Sequence, residues 1–298
     1  MLLTEPANNH EEFWRRTCGV ALGTFLSHAW YSPMAQAKIL HVFISHVIPY
    51  MGREHGYNSK TKVWQSFMTD DHNPIELSWD WGTGENAAAN FRDGVLKALP
   101  DTNMVWFEHF EGFFNRYGAQ GAVEGHCSKV FWAFDLREDG ITNKAYFFPG
   151  YRARLTSQTN LQVISQGIEE APSCQQGKVA ALEIFREYVT TTPDAALELD
   201  MLAIDLIDPR KSRLKIYFRG RQTAWEDVYH VMTLGGKLKG DGLEGSLQQL
   251  RQLWDLLFDT APLPPSNHRT AGILYNVEFR IDSKEPKVKI YIPVRQYG

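Results

Sequence analysis

Three lysines, each followed two residues later by a tyrosine, are the residues of this 298-residue chain best placed to do chemistry. They are Lys144 and Tyr146 in "KAYFFP", Lys215 and Tyr217 in "RLKIYFRG", and Lys289 and Tyr291 in "KVKIYIPV". Arg213 stands two residues before Lys215. One Lys-x-Tyr carries no information, but three copies, 71 and 74 residues apart, form an internal repeat. Extended chain sends successive side chains to opposite faces, so each lysine shares a face with its tyrosine. In "SRLKIYFRG", Arg213, Lys215 and Tyr217 face one way and Leu214, Ile216 and Phe218 the other. Taken alone, that stretch reads as a half-buried strand whose polar face meets solvent.

The repeat changes that expectation through the elements that carry it. "KVFWAFDL" and "KAYFFP" flank the turn-like "REDGITN"; "MLAIDLI" and "RLKIYFRG" flank "DPRKS"; "GILYNVEFR" and "KVKIYIPV" flank "IDSKEP". Each pair alternates apolar and polar residues and is closed by Asp, Gly, Pro or Ser, so each reads as a hairpin with the Lys-x-Tyr in its second strand. Helical periodicity separates the hairpins in "GKVAALEIFREYV", "TAWEDVYHVMTLGGKL" and "LEGSLQQLRQLWDLLF". The chain opens with two helical stretches, "EEFWRRTCGVALGTFLSHAW" and "MAQAKILHVFISHVIPYMG", and "PIELSWDW" then reads as a strand with Glu76, Ser78 and Asp80 on its polar face. A weaker first hairpin is expected near Glu76 and Arg92, although "NFRDGVLKAL" contains Gly94 and Arg92 could equally lie near a helix start.

If the hairpins lie side by side and curl into a barrel under helices, the Lys and Tyr faces converge on the lumen. A lumen ringed by Lys144, Arg213, Lys215 and Lys289 is costly unless an anion neutralises it. Diphosphate suits, since Arg offers a bidentate fork and Lys a compact charge. The tyrosines stand one layer further along the same face. Each ring can stabilise a cation by about 0.5–2 kcal/mol. Anion binding beneath cation shielding is what ionisation of an allylic diphosphate requires, in a site that keeps water out.

Other chemistries find little support. A net charge of −4 argues against a general nucleic-acid binder. No apolar run is long enough to span a bilayer, and the N-terminus lacks the pattern of a signal peptide. Cys18, Cys127 and Cys174 form no CxxC pair or disulfide framework, which fits a reducing compartment, so a cytosolic protein is expected. Asp70 and Asp71 in "TDDHNP" lack a third acid for a magnesium-diphosphate site and read as turn formers. "GTGENAAAN" lacks the third glycine of a dinucleotide fingerprint. Ser78 and Ser157 have no nucleophile-elbow context. His41 and His46 are five apart, a spacing that misses one α-helical face.

The motifs "PIELSW" (Glu76), "NFRDG" (Arg92), "KAYFFP", "RLKIYFRG" and "EPKVKIYIPV", in this order and spacing, resemble the fungal indole prenyltransferases of the dimethylallyltryptophan synthase type. The resemblance implies an α+β PT barrel, the ABBA fold, in which an antiparallel β-barrel of ββαα repeats lies inside a ring of helices. It implies one aromatic prenyltransferase domain over residues 1–298, C-terminally short, with four of five repeats. The implied reaction is metal-independent transfer of a dimethylallyl group from dimethylallyl diphosphate to an indole, as in indole alkaloid secondary metabolism. No cofactor is expected beyond that co-substrate. The expected partners are the diphosphate and the aromatic acceptor, with no nucleic acid and no membrane, and a homodimer is left open. Arg92, Lys144, Arg213, Lys215 and Lys289 would hold the diphosphate; Tyr146, Tyr217 and Tyr291 would shield the cation; Glu76 would accept the indole N–H. Lys129, on the polar side of "SKVFWAFDL", is the candidate base for the arenium proton, against the reading of a solvated lysine at a strand start. The alternative for the whole chain is a shortened, inactive relative that binds diphosphate or a partner without catalysis.

Overall fold

The computed structural model describes residues 6–51, 79–80, 85–115, 130–174, 179–192, 197–258 and 271–292, with backbone alone at 79–80 and 85–90. Along the chain the elements run α1 (Asn9–Trp14), α2 (Val20–His28), α3 (Pro33–Val42), β1 (Trp79–Asp80), α4 (Glu85–Ala98), α5 (Val105–Asn115), β2 (Val130–Leu136) and β3 (Ile141–Phe147). Then follow α6 (Gly150–Thr156), α7 (Asn160–Glu169), α8 (Ala180–Thr191), β4 (Glu198–Asp205), β5 (Leu214–Gly220), α9 (Trp225–Met232), α10 (Asp241–Phe258), β6 (Ile273–Phe279) and β7 (Lys287–Tyr291). They group into two compact units. The first holds α1–α4, β1, β2 and β3 as far as Ala145, with residues 205–207; the second holds α5, Tyr146 and Phe147, and the rest of the described chain.

In the first unit, helix starts follow local chemistry. The Asn8 side chain accepts from the backbone N–H of His10 and Glu11, and Ser32 accepts from Ala35 ahead of Pro33 at the first helical position. Two π-helical turns, Arg15–Gly19 and Phe43–Val47, interrupt the α-helical period. The second corrects the sequence expectation for the histidines. A π turn brings residues five apart into line, and the His41 and His46 rings meet edge to face at 6.2 Å. Burial, then the charge of His41, lowers the His46 pKa.

The weak first hairpin is also corrected. Arg92 lies in the middle of α4, and β1 pairs antiparallel with β2, Trp79 opposite Trp132. The reason is helical spacing. Phe91 and Val95 are fully buried one turn apart, and the Phe91 ring packs edge-on against Tyr50, Trp132 and Phe134. Gly94 fits that helix because a Cβ there would press on the Tyr50 hydroxyl at 3.3 Å. β2 turns into β3 through reciprocal backbone bonds between Arg137 and Gly140. Asn143, buried on β3, accepts from the Trp132 indole N–H at 3.2 Å and donates to Thr102.

In the second unit, β4, β5, β6 and β7 pair antiparallel in chain order. One face lies beneath helices. Phe185 of α8 meets Phe218 at 5.2 Å, Phe218 stacks on Tyr275, and Val277 and Ile273 are fully buried beside them. Phe107, Phe110 and Phe114 of α5 surround Phe147. The sequence reading had passed over α5, α6 and α7, although Trp106, Phe107, Phe110, Phe113 and Phe114 follow a helical period and Thr159 and Gln162 form a capping box. Leu214 through Phe218 are all buried, so the polar face of β5 does not meet solvent, contrary to the reading of that stretch taken alone.

The entry into β6 passes tightly under the end of β5. Gly272 has φ +84°, and a Cβ on it would collide with the Gly220 carbonyl oxygen and lie 3.2 Å from the Arg221 Cα. Gly272→Ala is expected to cost about 2 kcal/mol, combining a left-handed backbone with a clash. The midpoint of urea unfolding checks this; an unchanged midpoint would mean that the crossing is loose.

Candidate active site

The register of the second unit's sheet decides which side chains meet. Lys215 stands opposite Glu278, Tyr217 opposite Asn276, Asn276 opposite Lys289, and Leu274 opposite Tyr291. Directly opposed residues share a face. The face not covered by Phe218 and Tyr275 therefore carries Lys215 and Tyr217 from β5, Asn276 and Glu278 from β6, and Lys289 and Tyr291 from β7.

The charges form one cluster. Glu278 Oε2 accepts from Lys289 Nζ at 2.8 Å and lies 3.5 Å from Arg213 Nη1. The Glu278 side chain is only 11% exposed, and Lys215 is 4% exposed. Burial pushes the Glu278 carboxyl pKa up, but the Lys289 hydrogen bond and the charges of Lys289, Arg213 and Lys215 together outweigh it and hold the pKa below the ordinary value. Glu278 is thus the anion that the cation-lined face required, and the sequence reading missed it. The signal was available, because the alternation of "GILYNVEFR" puts Asn276 and Glu278 on the face opposite Ile273, Tyr275, Val277 and Phe279.

Next to the charges lie the phenols. The Tyr146 and Tyr217 ring centroids are 5.7 Å apart and those of Tyr217 and Tyr291 6.0 Å apart, all tilted. Asn276 Nδ2 donates to the Tyr291 hydroxyl at 2.9 Å, and that hydroxyl donates to Tyr217 at 3.4 Å. Burial, reinforced by Tyr146 and Tyr291, pushes the Tyr217 pKa well above the ordinary tyrosine value. The ring therefore stays a neutral phenol, whose electron-rich face can attract a cation. Asn276 is 1% exposed, and its Oδ1 has no hydrogen-bond partner.

Of the residues singled out in the sequence, Tyr146, Arg213, Lys215, Tyr217, Lys289 and Tyr291 belong to the second unit. Lys144 and Arg92 belong to the first. There Lys144 pairs with Asp135 across the β2–β3 hairpin, and Arg92, partly exposed on α4, is 3.8 Å from Asp93. Glu76, Lys129, Asp70 and Asp71 lie outside the described residues.

A sheet of hairpins carrying cations beside phenols, with helices on its other face, is the arrangement that the resemblance to aromatic prenyltransferases implied. The chain superposes on AnaPT from Neosartorya fischeri with a TM-score of 0.78 at 20% identity, covering 96% of this chain and 76% of that one. It superposes on NotF in complex with brevianamide F and DMSPP with a TM-score of 0.77 at 20% identity, covering 97% and 78%. The fold is the ABBA fold of those enzymes. The chain belongs to the tryptophan dimethylallyltransferase family, whose sequence model matches residues 10–95 and 84–298. It is 29% identical to the 4-O-dimethylallyl-L-tyrosine synthase of Claviceps purpurea, over 97% of this chain and 73% of that protein. It is also 29% identical to the 7-dimethylallyltryptophan synthase of Aspergillus fumigatus, over 99% and 72%. Among the described residues, no helix is long and apolar enough to cross a membrane.

The lowered Glu278 pKa has a stability consequence. The unfolded chain takes up this proton at higher pH than the folded one, so the contribution is complete above the unfolded glutamate value of about 4.3 and is lost as pH falls through the lower folded value. Thermal melts of the wild type should therefore drop more steeply than those of Glu278→Gln as the pH falls below about 4.3. Parallel curves would show that the ion cluster contributes nothing to stability.

Proposed function

We propose that the chain transfers a dimethylallyl group from dimethylallyl diphosphate to an aromatic acceptor, an indole first, without a metal ion. The observation that carries this reading is the adjacency of Arg213, Lys215 and Lys289 to the cage formed by Tyr146, Tyr217 and Tyr291. The allylic C–O bond breaks with its electron pair leaving on the diphosphate, whose growing charge the guanidinium and ammonium groups stabilise. The allylic cation is held against the phenol rings. The acceptor ring attacks it, and the arenium proton passes to a base, for which Lys129 is our candidate. Glu76 would accept the acceptor's N–H, and Arg92 and Lys144 would add to the diphosphate ligands; Glu76 and Arg92 are assigned on the sequence resemblance alone, Lys144 also on the Lys-x-Tyr repeat, and Lys129 on the alternation of its strand. We take residues 1–298 as a single catalytic domain working in the cytosol.

The similar proteins are named as synthases of dimethylallyl derivatives of both tyrosine and tryptophan, so the acceptor panel should contain both, with cyclic dipeptides. In EDTA with dimethylallyl diphosphate, product is expected from at least one acceptor. Product that needs added Mg²⁺ would overturn the all-protein diphosphate site. Donor binding without product from any acceptor would favour a non-catalytic relative.

The two layers should separate in kinetics. Lys215→Ala is expected to raise the KM for the donor, because the ammonium meets the diphosphate already in the bound ground state, and to lower kcat as well, because it also stabilises the charge that grows on the leaving group. Tyr217→Ala should mainly lower kcat, by roughly tenfold for a loss of about 1–2 kcal/mol of cation stabilisation. Tyr217→Phe keeps the ring and should recover most of that rate. Equal kcat for the Phe and Ala variants would show that the hydroxyl matters and the ring face does not.

A further inference from the structure

We infer that Glu278 is a built-in counter-ion of the diphosphate site, a positioning residue that holds Arg213 and Lys289 while the site is free of diphosphate and weakens the grip on diphosphate when it is present. The inference rests on the reading that these cations bind diphosphate.

The geometry is specific. β6 lies between the two cation-bearing strands, with β5 on one side and β7 on the other. Glu278 is the β6 residue opposite Lys215 on β5 and opposite Lys287 on β7. One of its oxygens, Oε2, is shared between Lys289 Nζ at 2.8 Å and Arg213 Nη1 at 3.5 Å. Lys215 adds its charge to the same field. Solvent screens this carboxylate poorly, whereas the Lys289 side chain is half exposed and has room to turn.

A diphosphate entering among Arg213, Lys215 and Lys289 competes with the carboxylate for the same donors. Once those donors turn to phosphate oxygens, Glu278 is left as a poorly hydrated anion beside another anion, which opposes binding. When diphosphate leaves, the ion pairs with Glu278 re-form and offset the loss of its contacts. Donor and product both carry the diphosphate, so both are weakened, but the donor's allylic group retains its contacts with the tyrosine cage. The net effect is a site that does not trap its inorganic product. A purely structural ion pair would act in the opposite direction, because removing it would loosen Arg213 and Lys289 and weaken anion binding.

Titration calorimetry of the full chain with inorganic pyrophosphate separates the two. Glu278→Gln keeps the shape and removes the charge. It should bind pyrophosphate on the order of tenfold more tightly than the wild type, the scale of one charge-assisted hydrogen bond. Pyrophosphate should also inhibit its turnover more strongly. Glu278→Asp withdraws the charge by one methylene and should show a smaller gain in affinity; it carries the test if the glutamine variant does not fold. Wild-type binding with equal or weaker binding in the variants overturns the counter-ion role and leaves the diphosphate reading standing. No binding by any of the three proteins overturns both.

Discussion

An ammonium group cannot be taken out of water without an anion, and Lys215 is buried in the middle of a sheet. Much of the site follows from that constraint. β5 has helices over one face, so its other face could have been an ordinary wetted surface. Burial on both faces makes Lys215 part of an interior whose charge has to be offset. Glu278, on the next strand, supplies a counter-charge within the protein itself.

The neighbouring layer obeys a different rule. A tyrosine ring that is to meet a carbocation must stay neutral as a group while presenting electron density. Burial of Tyr217 between Tyr146 and Tyr291 raises its pKa and keeps the phenol protonated. The hydroxyls are tied to one another and to the Asn276 amide, which fixes the ring tilts without placing a charge in the cage. Charge lies one register step away, on Glu278 and its partners. The phenols and the charged cluster thus lie one register step apart on the same face of the sheet.

Helices serve this arrangement by covering the opposite face. The aromatic packing of Phe185, Phe218 and Tyr275, and of Phe107, Phe110 and Phe114 around Phe147, anchors the strands from the side away from the chemistry. Gly272, with its left-handed backbone, lets the chain enter β6 close under Gly220, where that strand pairs with β5. Small backbone features far from any charge therefore help to set the register that puts Glu278 opposite Lys215.

The amino-acid sequence by itself determined the strands of the second unit, the repeat of Lys-x-Tyr, and the sharing of one face by each lysine and its tyrosine. Those properties follow from the two-residue period of extended chain, which is local. Helical period was equally local in α5 and α7, and it was there to be read in the spacing of their apolar residues. Partners are not local. Alternation says which face Asn276 and Glu278 occupy, but only the register of β5, β6 and β7 says that Glu278 meets Arg213 and Lys289 while Asn276 meets Tyr291. Arg92 shows the same division. Its segment is ambiguous as sequence, and the burial of Phe91 against Tyr50 and Trp132 selects the helix. The π turn that brings His41 to His46 likewise depends on how the backbone hydrogen bonds close. Pairing across strands depends on contacts between residues distant in the chain, and no local period encodes those contacts.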